Sequence, residues 1–163
     1  MSDECWICMG RAPPFLRPCL CPKSVHGRCL ARWQLQKAGQ SEETQCRFCQ
    51  ATLPDWREHL GGERPDASPT MSVEYRGEVK LIKMRAGQSP DLGAIERLIK
   101  RLFEIPDSQE LNLKFECRVP DSDEALELEG NGAFPAALHC ATMTAHRNQL
   151  VADPEPAEGV VDV

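Results

Sequence analysis

Cys5-Trp6-Ile7-Cys8, Cys19-Leu20-Cys21, His26-Gly27-Arg28-Cys29 and Cys46-Arg47-Phe48-Cys49 follow one another within the first 49 residues. Each stretch holds two soft or borderline metal donors one or two residues apart, a spacing at which one tight turn brings both to the same ion. Zinc takes four such donors in a tetrahedron, so four ordered pairs imply two Zn2+ ions. The ligands read from the sequence are Cys5, Cys8, Cys19, Cys21, His26, Cys29, Cys46 and Cys49. A segment this short buries too little apolar area to fold unaided, so metal binding supplies much of its folding energy. With four donors per ion, neither metal keeps an open position for water, and both read as structural.

The remaining cysteines, Cys117 and Cys140, lie far downstream without ligand spacing. An odd total of nine, a histidine among the paired cysteines and no readable secretory leader all speak against a disulfide framework. Reduced thiolates in the cytoplasm or nucleus are the expectation. No apolar run approaches the ~18 residues of a membrane span, and a soluble chain is expected. The net charge of -6 is uneven: residues 1–50 come to +3, and residues 121–163 to -8. Such a chain, without a long basic stripe, is a poor ligand for phosphate backbones, so nucleic acid is not an expected partner.

Four stretches are read along the chain: a zinc finger over 1–50, a linker over 51–70, an α+β domain over 71–147 and a disordered acidic tail over 148–163. The linker reading rests on Gly61-Gly62, three prolines and alternating charge. Within 71–147, Ser72–Tyr75 and Val79–Met84 are strand-like about the tight turn at Arg76-Gly77-Glu78. Ser89-Pro90-Asp91 is a helix start, with Ser89 as the capping hydroxyl. Leu92, Ile95, Leu98, Ile99, Leu102 and Phe103 then recur at helical spacing. Leu111, Leu113, Phe115 and Cys117 alternate with polar residues as a half-buried strand. Ala125–Leu128 reads as its partner, and Phe134–His146 as a second helix. This order, strand, strand, helix, strand, strand, helix, is that of a small β-grasp, a ubiquitin-like fold.

Taken with Pro18, Val25, Leu30 and Trp33, the ligand pattern resembles the RING-CH (RING-variant) finger of membrane-associated RING-CH ubiquitin ligases. The resemblance covers about the first 50 residues. It implies a cross-brace, with Cys5, Cys8, His26 and Cys29 on one zinc and Cys19, Cys21, Cys46 and Cys49 on the other. It also implies a ligase that holds a ubiquitin-charged conjugating enzyme while a substrate lysine attacks, contributing orientation and no nucleophile. Ile7, Trp33 and Gln50 are the residues the resemblance places at the conjugating enzyme. Gln50 stands where such ligases often carry Arg or Lys, so its hydrogen bonds there lack charge assistance.

The short gap from Cys21 to His26 also suits a PHD finger, a reader of histone tails. The one-residue Cys19-x-Cys21 spacing, the absence of Trp two residues before Cys46, and Trp33 itself favour RING-CH. The second domain loosely resembles Phox-and-Bem-type interaction domains, with Lys80 and Lys83 as a basic face and Asp121, Asp123 and Glu124 as an acidic loop for partners. Cys117 and Cys140 read as core, and His59, His139 and His146 as surface or structural residues. The expectation is a ubiquitin ligase with a partner- or substrate-binding module; the alternative is a non-catalytic zinc-finger binding protein.

Overall fold

The computed structural model describes residues 3–122 and 124–150, together with the backbone of 160–162. The first helix, α1 (Gly27–Gln36), is the element from which the rest is best understood. Its buried residues face two ways. Leu30 belongs to the small core of the finger with Cys5, Val25, Cys46 and Leu53. Ala31 and Leu35, one turn apart, belong instead to the larger core of the C-terminal region, together with Ala38 just beyond the helix. One helix therefore serves both cores.

Residues 51–70 do not behave as a linker. Trp56 and Leu60 are spaced one helical turn apart on a 3-10 turn (Trp56–His59) and its end, and both are fully buried. They pack with Ala31, Leu35, Ile99 and Leu138 in the larger core. Gly61 and Gly62 (φ +94° and +71°) end that turn, and Gly62 N–H donates to the Arg57 carbonyl at 2.7 Å. Composition indicated a tether; burial of one tryptophan and one leucine turns the segment into the joint between finger and C-terminal region.

The strands and helices of the C-terminal region come in the expected order. β1 (Thr70–Tyr75) and β2 (Glu78–Lys83) form an antiparallel hairpin with Tyr75 opposite Glu78. The two-residue loop Arg76-Gly77 takes positive φ at both positions, the geometry that matches strand twist. α2 (Leu92–Leu102) follows, its Ile95 and Ile99 buried. Its cap is Asp91, whose carboxylate accepts from Ala94 N–H at 2.7 Å, so the capping role falls to Asp91 rather than Ser89. β3 (Lys114–Arg118) and β4 (Ala125–Glu129) form a second antiparallel hairpin. α3 (Phe134–Gln149) is buried along its first half, where Phe134, Leu138, His139 and Cys140 enter the core. Cys117 and Cys140 are both buried, as expected of them.

Two differences from the expected layout stand out. Among the described residues the strands make two separate sheets, β1-β2-β5 and β3-β4, where a β-grasp would need one continuous mixed sheet. In addition, α3 runs through Gln149 and β5 (Val160–Asp162) pairs in parallel with β2, both within the stretch read as a disordered tail. The rest of that tail, 151–159 and 163, lies outside the described residues.

Candidate metal centre

The finger is built from two knuckles of the same design. In the first, Met9 N–H donates to the Cys5 carbonyl at 2.8 Å and Cys5 N–H to the Gly10 carbonyl at 2.9 Å. In the second, Gln50 N–H donates to Cys46 at 2.8 Å and Cys46 N–H to Ala51 at 2.9 Å. Met9 and Gln50 share the left-handed backbone, each with φ +59°. That conformation costs a non-glycine residue about 1 kcal/mol, and here it is what turns the chain after each Cys-x2-Cys pair.

The knuckles gather the ligands in the crossed arrangement. Cys5, Cys8, His26 and Cys29 form one cluster, and Cys19, Cys21, Cys46 and Cys49 the other; within each, the donor atoms all lie within 4.8 Å of one another. Tetrahedral zinc, with bonds of about 2.3 Å to sulfur and about 2.0 Å to nitrogen, separates two sulfurs by about 3.8 Å and a sulfur from a nitrogen by about 3.5 Å. The structure gives 3.9 Å between the sulfurs of Cys21 and Cys46. His26 Nδ1 lies 3.3 Å from Cys8 Sγ and 3.6 Å from Cys29 Sγ. His26 Nε2, on the far side of the ring, is 2.7 Å from the Ala12 carbonyl. An Nε2–H donated to that carbonyl leaves the Nδ1 lone pair facing the thiols, the tautomer a metal requires. Phe15 stacks on the same ring, with centroids 4.8 Å apart, and fixes its plane.

The thiols themselves call for a cation. At Cys5, burial pushes the thiol up, but the backbone N–H groups of Cys8, His26 and Ile7 outweigh it and bring it to about 6. Cys46 is likewise lowered to about 6, chiefly by the backbone at Cys49. Their neighbours go the other way. Burial, then the adjacent Cys8 and Cys5, pushes Cys29 up to about 12. Contact with Cys49, followed by burial, does the same to Cys21. Crowded thiols cannot all ionise together unless a positive charge sits among them. Donor set, spacing and tautomer all fit two Zn2+ ions.

Residues 5–49 match the RING-variant domain. The matched segment spans every ligand, and it decides between the RING-CH and PHD readings of the finger in favour of RING-CH. No curated protein and no solved structure matches the chain. RING-variant domains are typical of ubiquitin ligases, and the two zincs of such a domain hold shape. No helix among the described residues is long and apolar enough to cross a membrane.

Beside the second zinc cluster lies a shallow depression lined by Trp6, Pro18, Lys23, Leu30, Trp33 and Phe48. Trp6 meets Trp33 edge to face, with centroids 5.8 Å apart. Lys23 stands over the Phe48 ring at 4.6 Å, and Phe48 is 60% exposed. Of the residues expected to face a conjugating enzyme, Trp33 lies in this depression. Ile7 is half-buried and packs against the finger core, and Gln50 is exposed on its knuckle. Lys23 was not singled out from the sequence; its place between two pairs of ligands gives no local signal of the rings it meets.

The charged residues read as partner contacts are largely engaged within the chain. Asp121 pairs with Arg28 and Glu124 with Arg32, so the acidic loop grips α1 of the RING-variant domain. Asp123 lies outside the described residues. Lys80 donates to the Leu102 carbonyl, pairs with Glu78 at 3.2 Å and sits over Phe103. Lys83 remains exposed. Gln34, buried on α1, ties that helix to the loops that follow it, its amide donating to the carbonyls of Glu43 and Pro54 at 2.8 Å each. Glu43 in turn accepts from Trp56 Nε1 at 3.0 Å and from Gly39 N–H at 2.8 Å.

Proposed function

We propose that the protein is a ubiquitin ligase whose RING-variant domain docks a ubiquitin-charged conjugating enzyme and favours attack by a substrate lysine, with the C-terminal region as the partner- or substrate-binding module. The observation that carries this reading is the cross-braced RING-variant domain with an apolar, partly aromatic depression beside its second zinc cluster. An exposed aromatic flanked by Lys23 and Arg47 is the kind of surface that anchors a partner. The eight thiol and imidazole groups of the clusters are committed to metal, so the domain offers no nucleophile. Its contribution is to hold the thioester and the incoming amine in a near-attack arrangement. Zinc, when bound, fixes the two knuckles and hence the spacing of Trp6, Trp33 and Phe48. Ile7, on the first knuckle, packs against the finger core, and Gln50 stands on the second knuckle with an amide that can donate and accept.

Single-turnover discharge of ubiquitin to free lysine, across a panel of charged conjugating enzymes, tests the reading. Wild type should accelerate discharge with at least one of them, and Ile7→Ala and Trp33→Ala should lose that acceleration while retaining two zincs. No acceleration by any enzyme of the panel, with both zincs present, would leave a binding protein in place of a ligase.

A further inference from the structure

An open cleft of about 720 Å³ lies between the start of α2 and the first turns of α3, and none of its lining residues belongs to the finger. Ligand sites are commonly of this size, about 300–1,000 Å³. Leu92, Phe134, Pro135 and Leu138 give it an apolar wall. Two half-buried cations, Arg57 and Arg64, stand at the same cleft. Arg57 is offset by Asp55, which accepts from its Nη1 at 3.2 Å. Arg64 is not offset: it donates to the neutral Gln88 carbonyl at 2.8 Å, and no carboxylate pairs with it among the described residues. Asp91 also lines the cleft, but its carboxylate is engaged by Ala94 N–H as the cap of α2. His139 lines it as well, with its buried Nε2 lacking a hydrogen-bond partner among the described residues. The charges of Arg57 and Arg64 both reach that ring, so two guanidiniums and an imidazole converge on one place. The described residues that flank the undescribed stretch lie elsewhere. Gln149, and the β2 partners of β5, Leu81 and Lys83, line a different cleft over the later turns of α3.

A cation without a counter-charge beside an apolar wall calls for an anion and an apolar group on neighbouring atoms. We propose that this cleft binds the C-terminal residue of a partner protein, with its carboxylate on Arg64 and Arg57 and its apolar side chain on Leu92, Phe134 and Leu138. A C-terminal leucine or phenylalanine carries both groups on one Cα. An aspartate side chain or a phosphate has no apolar part beside its charge, and so would leave the wall uncovered. The guanidinium fork matches a carboxylate in geometry as well as in charge. The amide preceding the terminal residue offers His139 Nε2 the hydrogen bond it lacks, and the open side of the cleft lets the rest of the partner chain leave. Calling that partner a substrate rests on the ligase reading; the binding site does not.

Full-length, zinc-loaded protein is panned against random octapeptides displayed with free C-termini, and enriched peptides are synthesised and titrated. They should end in an apolar residue, and conversion of the terminal carboxylate to an amide should weaken binding about tenfold or more. Bound peptide should shift the backbone resonances of 89–92 and 134–139 and the Nε2 resonance of His139. Arg64→Gln should weaken binding by a similar factor. Ser89→Glu, at an exposed position that does not cap α2, puts a carboxylate at the cleft and should abolish binding. Zinc content and circular dichroism should be unchanged in both variants. The proposal is overturned by no enrichment over the Ser89→Glu protein, by amidated peptides that bind as tightly as the free acids, or by shifts confined to other segments. It is also overturned if N-acetyl-leucine binds as tightly as the peptides, since the cleft is then a site for small acids. Ubiquitin discharge by the wild type separates the two readings. Peptide binding without discharge would end the ligase reading and leave the cleft standing, and discharge without peptide binding would do the reverse.

Discussion

His139 offers the sharpest test of how the C-terminal core is built. It lies on α3, 4% exposed, with its ring edge to face on Trp56 at 5.3 Å. Its Nε2 is buried and has no hydrogen-bond partner among the described residues. Burial, then the positive charge of Arg57, lowers its pKa from 6.5 to about 4; Asp55 opposes the shift and Arg64 adds to it. The folded protein therefore keeps the ring neutral where the unfolded chain takes up a proton. A depressed histidine pKa makes stability rise with pH between the two values, so its contribution is present above pH 6.5 and is lost as the pH falls towards 4. The full difference is on the order of 3 kcal/mol, of which about 2 kcal/mol disappears between pH 7 and 5. Urea unfolding followed by tryptophan fluorescence, at pH 7 to 4.5, compares wild type with His139→Phe. The phenyl ring fills the same volume and removes both the titration and the unpartnered nitrogen. The two proteins should be of similar stability at pH 7, and the variant should be the more stable by about 2 kcal/mol at pH 5. Acid release of zinc is common to both and cancels in the difference. Parallel profiles through this range would refute the placement of a neutral, unpartnered ring beneath Trp56.

Three further expectations follow from the joint between finger and core. Leu35→Ala should cost about 2–5 kcal/mol in urea unfolding, whereas Arg28→Ala and Arg32→Ala, which break half-exposed pairs, should each cost less than about 1 kcal/mol; the reverse order would make the docking ionic. Gly39→Ala should destabilise by about 2 kcal/mol or more in the same assay, because a Cβ there would stand 2.6 Å from the Gly132 backbone and Gly39 has φ +80°. Zinc removal by a chelator should unfold the knuckles and, because α1 is shared, lower the melting temperature of the C-terminal core as well. A calorimetric transition of that core unmoved by the chelator would show the two to be independent.

The ligand pairs, the Arg76-Gly77 hairpin and the register of α2 were legible because each depends on neighbours within a few residues. Two donors on one knuckle, two positive-φ residues in a loop, or an apolar repeat of one helical turn are local facts. Even the cap of α2 was missed by only two residues, since Ser89 and Asp91 carry equally good capping side chains and only backbone direction selects Asp91. The segment 51–70 was misread for the opposite reason. Glycine and proline mark its chain as able to turn, but Trp56 and Leu60 gain their place only from the face of α1 they meet. The acidic loop at Asp121 and Glu124 looked free because its partners, Arg28 and Arg32, are some ninety residues away.

By itself the sequence determined two four-ligand metal sites, the family of the finger, and which residues form most strands and helices. Tertiary structure decided that α1 belongs to two cores, that the expected tether is a joint, and that the described strands form two sheets rather than one. Local geometry is written in spacing. Which edge meets which face depends on burial shared between distant segments, and no single stretch of chain records it.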